Sequence, residues 1–285
     1  MIFVTPISGW GPYADRDRSS DWNNRLALHN IHREEELADK LDRESRERSA
    51  KERPPLPREE RVEALLSQRS RTKHADRNKD CSLRDSEIHT LGEVGKFRVV
   101  AMNDLAEFAY NGDRSRAGND IEILARQGLL TQTTIADPEH NPTFHDADLY
   151  RLYHKVSDEI EGRGGKVLRV QLDYEIKQEL YSRLARLSVG KRGDADPIRK
   201  EVAGHFHLKV VSGRIPIPDL RIEYVNENDY EIQRRDLELA TEHYRPRGLS
   251  EKACAGFELY ARRGETDRLR RIRDDRELTA AIFSL

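Results

Sequence analysis

Two strand-like segments near the C-terminal end constrain the fold of this chain most strongly. They span residues 215–225 and 230–241, and the turn-forming residues 226–229 lie between them. Residues 219–224 and 236–239 alternate polar and apolar side chains with the period of two that a half-buried β-strand produces. The pattern predicts a β-hairpin with one apolar face and one polar face.

The polar face of the predicted hairpin carries two acidic residues that can converge. Asp219 begins the alternating part of the first strand, and Glu238 lies near the end of the second, between Leu237 and Leu239. Mg²⁺ prefers oxygen ligands and keeps several waters when one or two carboxylates bind it. Such a cation could activate water and stabilise charge on a phosphodiester. The sequence therefore predicts Asp219 and Glu238 as catalytic residues and as ligands of Mg²⁺, with no other cofactor expected.

The N-terminal region differs from the rest of the chain in composition. Between Ala14 and Asp80 acidic and basic residues are intermixed, apolar residues are sparse, and the prolines at 54–57 interrupt the run. Too little apolar surface is present there to offset the ordering entropy of about 1–2 kcal/mol per residue. Residues 1–81 are therefore predicted to form a disordered tail, in which residues 33–51 could form a charge-laced helix.

Cysteine content and hydropathy exclude several classes of protein. Cys81 and Cys254 are the only cysteines, which fits a reducing compartment and provides no disulfide framework. No apolar run approaches the roughly 18 residues of a membrane-spanning helix, and the N-terminus lacks the pattern of a secretory signal. The net charge of -2 neither implies nor excludes a nucleic-acid partner. We expect a cytoplasmic protein with no membrane partner.

Residues 82–142 have the element order of a winged helix-turn-helix domain. Three predicted helices, the first capped by Ser86 and the third ended by Gly128, precede a strand-like run at 129–135 and a turn at 137–142. Ser is a favourable helix N-cap, and Gly commonly ends a helix. Three short helices followed by a β-hairpin are typical of this domain, which binds double-stranded DNA.

The second helix of a helix-turn-helix enters the major groove, where its first residues reach base edges. Arg can form two hydrogen bonds with guanine and Asn can form two with adenine, whereas Ser and free helix N–H groups can hold phosphate. The candidate DNA-binding residues are Arg114, Ser115, Arg116, Asn119, Lys96 and Arg98. A small three-helix domain used for dimerisation or packing is the alternative.

Residues 143–285 are predicted to form an α/β domain. A helix with an apolar stripe, a strand at 167–172 and two further helices lead into the hairpin, and a helix over residues 250–262 follows it. Helices interleaved with strands in this way indicate helices packed on a sheet. The whole chain is therefore predicted as α+β, with a tail, a winged helix-turn-helix and an α/β domain.

Pro218-Asp219, Glu238 and their strand–strand–helix context resemble the PD-(D/E)XK phosphodiesterase superfamily. The wider arrangement begins near Ser86 and includes the segment Asp-Leu-Glu-Leu-Ala-Thr and a following helix with Lys252 and Tyr260. It resembles proteins tied to plasmid replication-relaxation. The resemblance implies a restriction-endonuclease-like C-terminal domain, Asp219 and Glu238 as the two acids, and a mobile genetic element as the setting.

The superfamily also places a lysine two residues after the second acid, and Ala240 occupies that position here. In some members the basic group comes from the following helix, which makes Lys252 a candidate substitute and Arg245 a second one. Without an ammonium near the attacked phosphate, the stabilisation of charge weakens. A Lys252 ammonium beside Asp219 and Glu238 would therefore favour an active site, whereas one turned away from them would favour a degenerate site.

Three functions are compatible with these features. Ala240 favours a DNA-binding protein of a mobile element that acts in plasmid replication or mobilisation and carries a degenerate nuclease domain. The first alternative is an active Mg²⁺-dependent DNA endonuclease that uses Asp219, Glu238 and Lys252. The second alternative is an adaptor that binds a relaxase or a replication protein.

Overall fold

The computed structural model describes residues 2–6, 40, 43–44, 57–76, 79–134, 142–188, 196–226, 229–241, 244–262, 266, 270 and 282–285. The fold is mixed α+β, as the sequence predicts. None of the helices in the described part of the chain is long and apolar enough to cross a membrane. Contacts divide the chain into two compact units: Met1–Tyr150, Asp158–Leu168 and Val225–Glu231 form the first, and Arg151–Ser157, Arg169–Tyr224 and Ile232–Leu285 form the second.

Five helices and five strands of the described residues lie wholly or mostly in the first unit. In chain order they are β1 (Ile2–Pro6), α1 (Arg58–Ser67), β2 (Thr72–Asp76), β3 (Lys79–Leu83), α2 (Asp85–Phe97), β4 (Val100–Ala101), α3 (Met102–Ala109), α4 (Arg114–Arg126), β5 (Leu130–Thr134) and α5 (Pro142–Glu161). Strands β2 and β3 form an antiparallel hairpin. Strands β4, β1 and β5 form a second sheet in that order. The wing predicted around residues 137–141 lies outside the described residues.

Strand β1 corrects the prediction that residues 1–81 form a disordered tail. It lies between β4 and β5 and is antiparallel to both. Phe3 and Val4 are fully buried, and the Phe3 ring contacts the Phe144 ring edge-on at 4.8 Å between centroids. Two buried side chains and hydrogen bonds to strands on both sides order this segment, although the composition of the surrounding region is unfavourable.

Helix α1 corrects the same prediction. Val62 and Leu66 are buried on one side of it. Its guanidinium groups reach α5, because Arg58 Nε donates to Asp158 at 3.0 Å and Arg61 pairs with Glu161 at 3.1 Å. Apolar burial combined with these ion pairs orders a segment that is rich in charge. Most of the helix predicted between residues 33 and 51 lies outside the described residues.

The remaining elements build one larger sheet and the helices that accompany it. They are β6 (Gly165–Leu172), α6 (Asp173–Ser188), α7 (Asp196–His205), β7 (Leu220–Asn226), β8 (Asp229–Leu239), α8 (Pro246–Ala255), β9 (Glu258–Ala261) and β10 (Ile282–Ser284). The strand order is β10-β9-β8-β7-β6. Strand β9 is parallel to both β8 and β10. Helix α8 therefore forms the crossover between the parallel neighbours β8 and β9.

Two predicted boundaries in this region are wrong for local reasons. The first hairpin strand begins at Leu220 rather than at residue 215, because Pro216 and Pro218 have no N–H to donate to a sheet. The helix predicted to reach residue 262 ends at Ala255, because the next residue, Gly256, adopts a φ of 94° that favours glycine. Tyr260 consequently lies on β9 and not on a helix.

Candidate active site

The hairpin of β7 and β8 carries a row of ion pairs on the face that the sequence predicts as polar. Arg221 forms a bidentate pair with Asp236, with distances of 2.6 and 2.8 Å. Arg234 Nε donates to Glu223 at 2.9 Å. Moving two residues forward in β7, from 221 to 223, moves the partner two residues backward in β8, from 236 to 234, as antiparallel pairing requires. The next step along this row pairs position 219 with position 238.

This face is more buried than a solvated polar face would be. Arg221 and Glu223 are each only 3% exposed. Buried charges are tolerated when partners satisfy them, and Arg221 Nη1 donates to the Phe206 carbonyl in addition to its pair with Asp236. The ion pairs therefore hold β7 and β8 in register and place the two predicted acids at the end of the row.

Asp219 is held by the backbone on two sides. Its carboxylate accepts a hydrogen bond from the Leu239 N–H at 3.0 Å. Its carbonyl accepts one from the Asp173 N–H, also at 3.0 Å. Asp219 is half-buried; its carboxylate lies at the end of β8, and its carbonyl binds the first residue of α6.

Glu238 is fully buried and has two side-chain partners. The Lys252 ammonium lies 2.7 and 2.8 Å from its two carboxylate oxygens. The Tyr244 hydroxyl donates a hydrogen bond to Oε1. Lys252 also donates to the Ile217 carbonyl at 2.6 Å. Helix α8 thus brings an ammonium directly to the second acid, and Lys252 rather than Arg245 makes this contact.

The surroundings of Ala240 explain why the ammonium beside Glu238 comes from helix α8 and not from position 240. Its N–H donates to the Tyr260 carbonyl at 2.8 Å, and its side chain is fully buried. It belongs to an apolar cluster whose other buried members are Leu249, Leu259, Ala261 and Ile282. A lysine at position 240 would have to place its charge or its long stem in this cluster, which is costly.

The surroundings of Glu238 change its protonation. Burial and the negative charge of Asp219 raise the pKa of Glu238 to about 7, against the opposing effects of Lys252 and Tyr244. Burial also raises the pKa of the Tyr244 hydroxyl, and Glu238 adds to that increase. The Tyr244 hydroxyl therefore remains protonated and acts as a donor to Glu238.

The chemistry of these residues fits a hard divalent cation. Burial and, to a smaller extent, repulsion by Asp219 raise the pKa of Glu238, and a cation held by both carboxylates would favour the charged form. The described residues contain no group of three or more His, Cys, Asp or Glu side chains that could hold a metal ion. Mg²⁺ commonly binds to one or two carboxylates and completes its shell with water and substrate phosphate. Asp219 and Glu238 match that requirement.

The sequence patterns do not identify two side chains that lie near the acids. Tyr244 follows Glu238 by six positions and sits just before α8. Lys177 forms an ion pair with Asp173, whose N–H binds the Asp219 carbonyl. The spacing of four between Asp173 and Lys177 on a helix is a signal that could have found this second pair.

The predicted DNA-binding residues fall into two groups. At the start of α4, Arg114, Ser115 and Asn119 are exposed and Arg116 is half-buried. The Asp113 side chain caps this helix by accepting a hydrogen bond from the Arg116 N–H at 2.9 Å. On α2 and just after it, Lys96 is half-buried and Arg98 is exposed.

A surface depression of about 500 Å³ lies beside α4 and includes three of these residues, Ser115, Arg116 and Asn119. Arg84 and Asp120 also line it. Asp120 is 1% exposed; its carboxylate accepts a hydrogen bond from Ser86 at 2.8 Å and lies 3.3 Å from the Arg84 guanidinium. Arg84 therefore offsets the acidic charge beneath the exposed face of α4.

Comparison of the chain with protein-family models, with curated proteins and with solved structures gives no significant match.

Proposed function

We propose that the second unit is a divalent-metal-dependent nuclease of the PD-(D/E)XK type. In this proposal Asp219 and Glu238 hold the metal, and Lys252 provides the ammonium beside the attacked phosphate. The observation that carries the proposal is the distance of 2.7 Å between the Lys252 ammonium and the Glu238 carboxylate. Lys252 supplies from α8 the positive charge that Ala240 cannot provide. Its position beside Glu238 favours an active site over a degenerate one.

The sheet supports the proposal independently of these side chains. In the β7–β8–α8–β9 segment, both acids come from the hairpin, the lysine comes from the next helix, and β9 returns parallel to β8. This agrees with the strand–strand–helix context of the resemblance and supports a restriction-endonuclease-like fold. The DNA of a plasmid or an integrated element is the substrate that the resemblance favours.

Each residue has a defined role in the proposed reaction. A divalent cation, when bound, supplies Lewis-acid stabilisation of the phosphodiester and activates water. Asp219 and Glu238 provide its protein ligands. Lys252 places positive charge where the phosphate becomes more negative during attack. Tyr244 orients the Glu238 carboxylate through its hydrogen bond.

Supercoiled plasmid DNA tests the activity. The wild-type protein with Mg²⁺ or Mn²⁺ is expected to nick or linearise the plasmid, and chelation of the metal should stop it. Asp219→Ala and Lys252→Met should each lower the rate by at least about a hundredfold, since loss of one group that stabilises the transition state costs about that much. Lys200→Ala, at an exposed position of α7, should cleave like the wild type. Cleavage that persists in Asp219→Ala would exclude this site.

A second proposed activity is docking on double-stranded DNA through α4. The exposed residues Arg114, Ser115 and Asn119 at the start of this helix favour it. The order α2–β4–α3–α4–β5, with β1 completing a three-stranded sheet, supports a winged helix-turn-helix in which β1 provides a strand. Plasmid replication or mobilisation is the process in which such docking would act.

Salt-dependent binding to a duplex tests this docking. Arg114→Ala combined with Arg116→Ala is expected to weaken binding and to lower its salt dependence, because two cations at the DNA surface are lost. Lys200→Ala serves as a control for the loss of a surface cation elsewhere in the chain. Equal binding by the double variant and the wild type would exclude α4 as the contact. Binding to no nucleic acid, with a relaxase or replication protein bound instead, would favour the adaptor function.

A further inference from the structure

Helix α6 begins next to the candidate active site. The N–H of its first residue, Asp173, donates to the Asp219 carbonyl at 3.0 Å. The Lys177 ammonium pairs with the Asp173 carboxylate one turn later. This contact places a second lysine close to the acids, in addition to Lys252 from α8.

Tyr181 follows Lys177 by another turn on the same helix face. Residues four apart on a helix lie about 5–6 Å from each other between Cβ atoms, so Asp173, Lys177 and Tyr181 form a continuous row, which we call the α6 stripe. Tyr181 is 57% exposed, the highest value among the exposed large hydrophobic residues of the described chain. The Lys177 side chain is 47% exposed. Both groups are therefore accessible to a ligand.

The electrostatic field along the stripe agrees with this geometry. The hydrogen bond to Asp173 raises the pKa of Lys177, and the negative charge of Asp219 adds to that increase. Lys177 therefore remains a cation at neutral pH. An ammonium has three N–H donors, so it can bind a phosphate oxygen while it keeps its contact with Asp173.

We propose that the α6 stripe binds an unpaired DNA strand next to the bond that the carboxylate pair cleaves. Lys177 contacts a phosphate of this strand, and the Tyr181 ring stacks on one of its bases. The inference rests on the proposed nuclease activity and specifies its substrate, which is DNA with unpaired nucleotides beside the scissile phosphate.

The chemistry of the two side chains favours an unpaired strand over a duplex. Proteins that bind single strands combine cations along the backbone with aromatic rings on which bases stack. A base within a duplex has both faces covered by its neighbours, so it cannot stack on an exposed tyrosine without being flipped out. An exposed ring one turn from a cation, on a helix that begins beside Asp219, therefore selects bases that are already unstacked.

Binding of a fluorescent oligonucleotide in the presence of EDTA tests the proposal without cleavage. Tyr181→Ala should weaken binding of the single strand by at least about fivefold, which is the lower end of base stacking on an aromatic side chain. Tyr181→Phe should bind like the wild type because the ring remains. Lys177→Ala should weaken binding and reduce the salt slope by about 0.7. Lys200→Ala should have no effect, and none of the variants should alter binding to the duplex form.

Photo-cross-linking of a strand that contains 5-iodouracil gives a direct readout. The expected adduct, located by mass spectrometry, is on Tyr181. If the wild type binds the strand and cleaves plasmid but Tyr181→Ala and Lys177→Ala bind as it does, the inference fails and the nuclease activity stands. If the variants weaken duplex binding equally, the preference for unpaired DNA is wrong. If the wild type neither binds nor cleaves DNA, both proposals fail.

Discussion

Glu238 combines full burial, a neighbouring carboxylate and an ammonium in a single side chain. Burial and Asp219 favour its protonated form, while Lys252 and Tyr244 favour its charged form, and the outcome is a pKa of about 7. A carboxylate that titrates near neutrality binds a cation only after losing its proton. Cation binding at this site is therefore expected to tighten as the pH rises through about 7.

Two substitutions are expected to shift the pKa of Glu238 in opposite directions. Tyr244→Phe removes a hydrogen bond to the carboxylate and should raise this pKa further. Asp219→Asn removes the repelling charge and should lower it. Carboxyl ¹³C NMR of metal-free protein, titrated from acid to alkaline pH, measures both changes. A Glu238 midpoint near 4.5 in the wild type, or shifts of equal sign, would contradict the prediction.

The same pKa has a consequence for stability. The ordinary pKa of a glutamate is 4.5, and the value in the fold is about 7, so the folded state binds more protons between these limits. The contribution of Glu238 to the free energy of unfolding is therefore complete below about pH 4.5 and is lost as the pH rises through about 7. Glu238→Gln should flatten the pH dependence of urea unfolding in this window.

At the scale of elements, β1 shows how a short segment can order itself through distant partners. Its two buried residues lie on a strand bounded by β4 and β5. The register joins Phe3 to Ala101 on one side and to Thr133 on the other. These contacts close long loops, and the burial of Phe3 against Phe144 helps to offset the entropy of closure.

Truncation of Phe3 should therefore destabilise the first unit. We expect Phe3→Ala to lower the free energy of unfolding by about 3 kcal/mol, because a fully buried aromatic side chain is lost and a cavity remains. Ile2→Ala is the matched control, since Ile2 lies on the same strand and is 44% exposed; its effect should stay below about 1 kcal/mol. Urea unfolding monitored by circular dichroism measures both. A loss for Phe3→Ala as small as the loss expected for Ile2→Ala would show that the burial of Phe3 contributes little to stability.

At the scale of the whole molecule, the two proposed activities depend on different sets of side chains. Duplex docking uses the start of α4, whereas cleavage uses the end of the β7–β8 hairpin and α8. The start of α4 lies in the first unit, whereas Asp219, Glu238 and α8 lie in the second. Changes in one set of side chains should therefore leave the other activity intact.

Variants of each set can test this separation. Arg114→Ala with Arg116→Ala should reduce duplex binding but leave metal-dependent cleavage of a short single-stranded oligonucleotide unchanged. Asp219→Ala should abolish cleavage and leave duplex affinity in EDTA unchanged. Anisotropy and gel assays on the same preparations measure both properties. Loss of both activities in either variant would contradict the separation, provided that its unfolding curve matches that of the wild type.

Sequence alone predicts the part of the site that depends on local periodicity. Alternation in the hairpin predicts that Asp219 and Glu238 share a face, and the neighbouring ion pairs of Arg221 and Arg234 follow the same register. The α+β class and helices α2 to α4 also follow from local patterns. Prolines fix the start of β7 and a glycine fixes the end of α8, two boundaries that the alternation and helical patterns misplaced.

Tertiary structure decides the contacts that no local pattern encodes. The identity of the lysine beside Glu238 depends on how α8 returns along the sheet, and Tyr244 reaches the same carboxylate from the segment before that helix. Strand β1 is ordered by pairing with β4 and β5, which lie about a hundred residues or more further along the chain. Periodicity reports which face a residue occupies, because it is a property of the local backbone. The separation of residues from distant segments depends on loop closure and packing, and only the folded chain determines it.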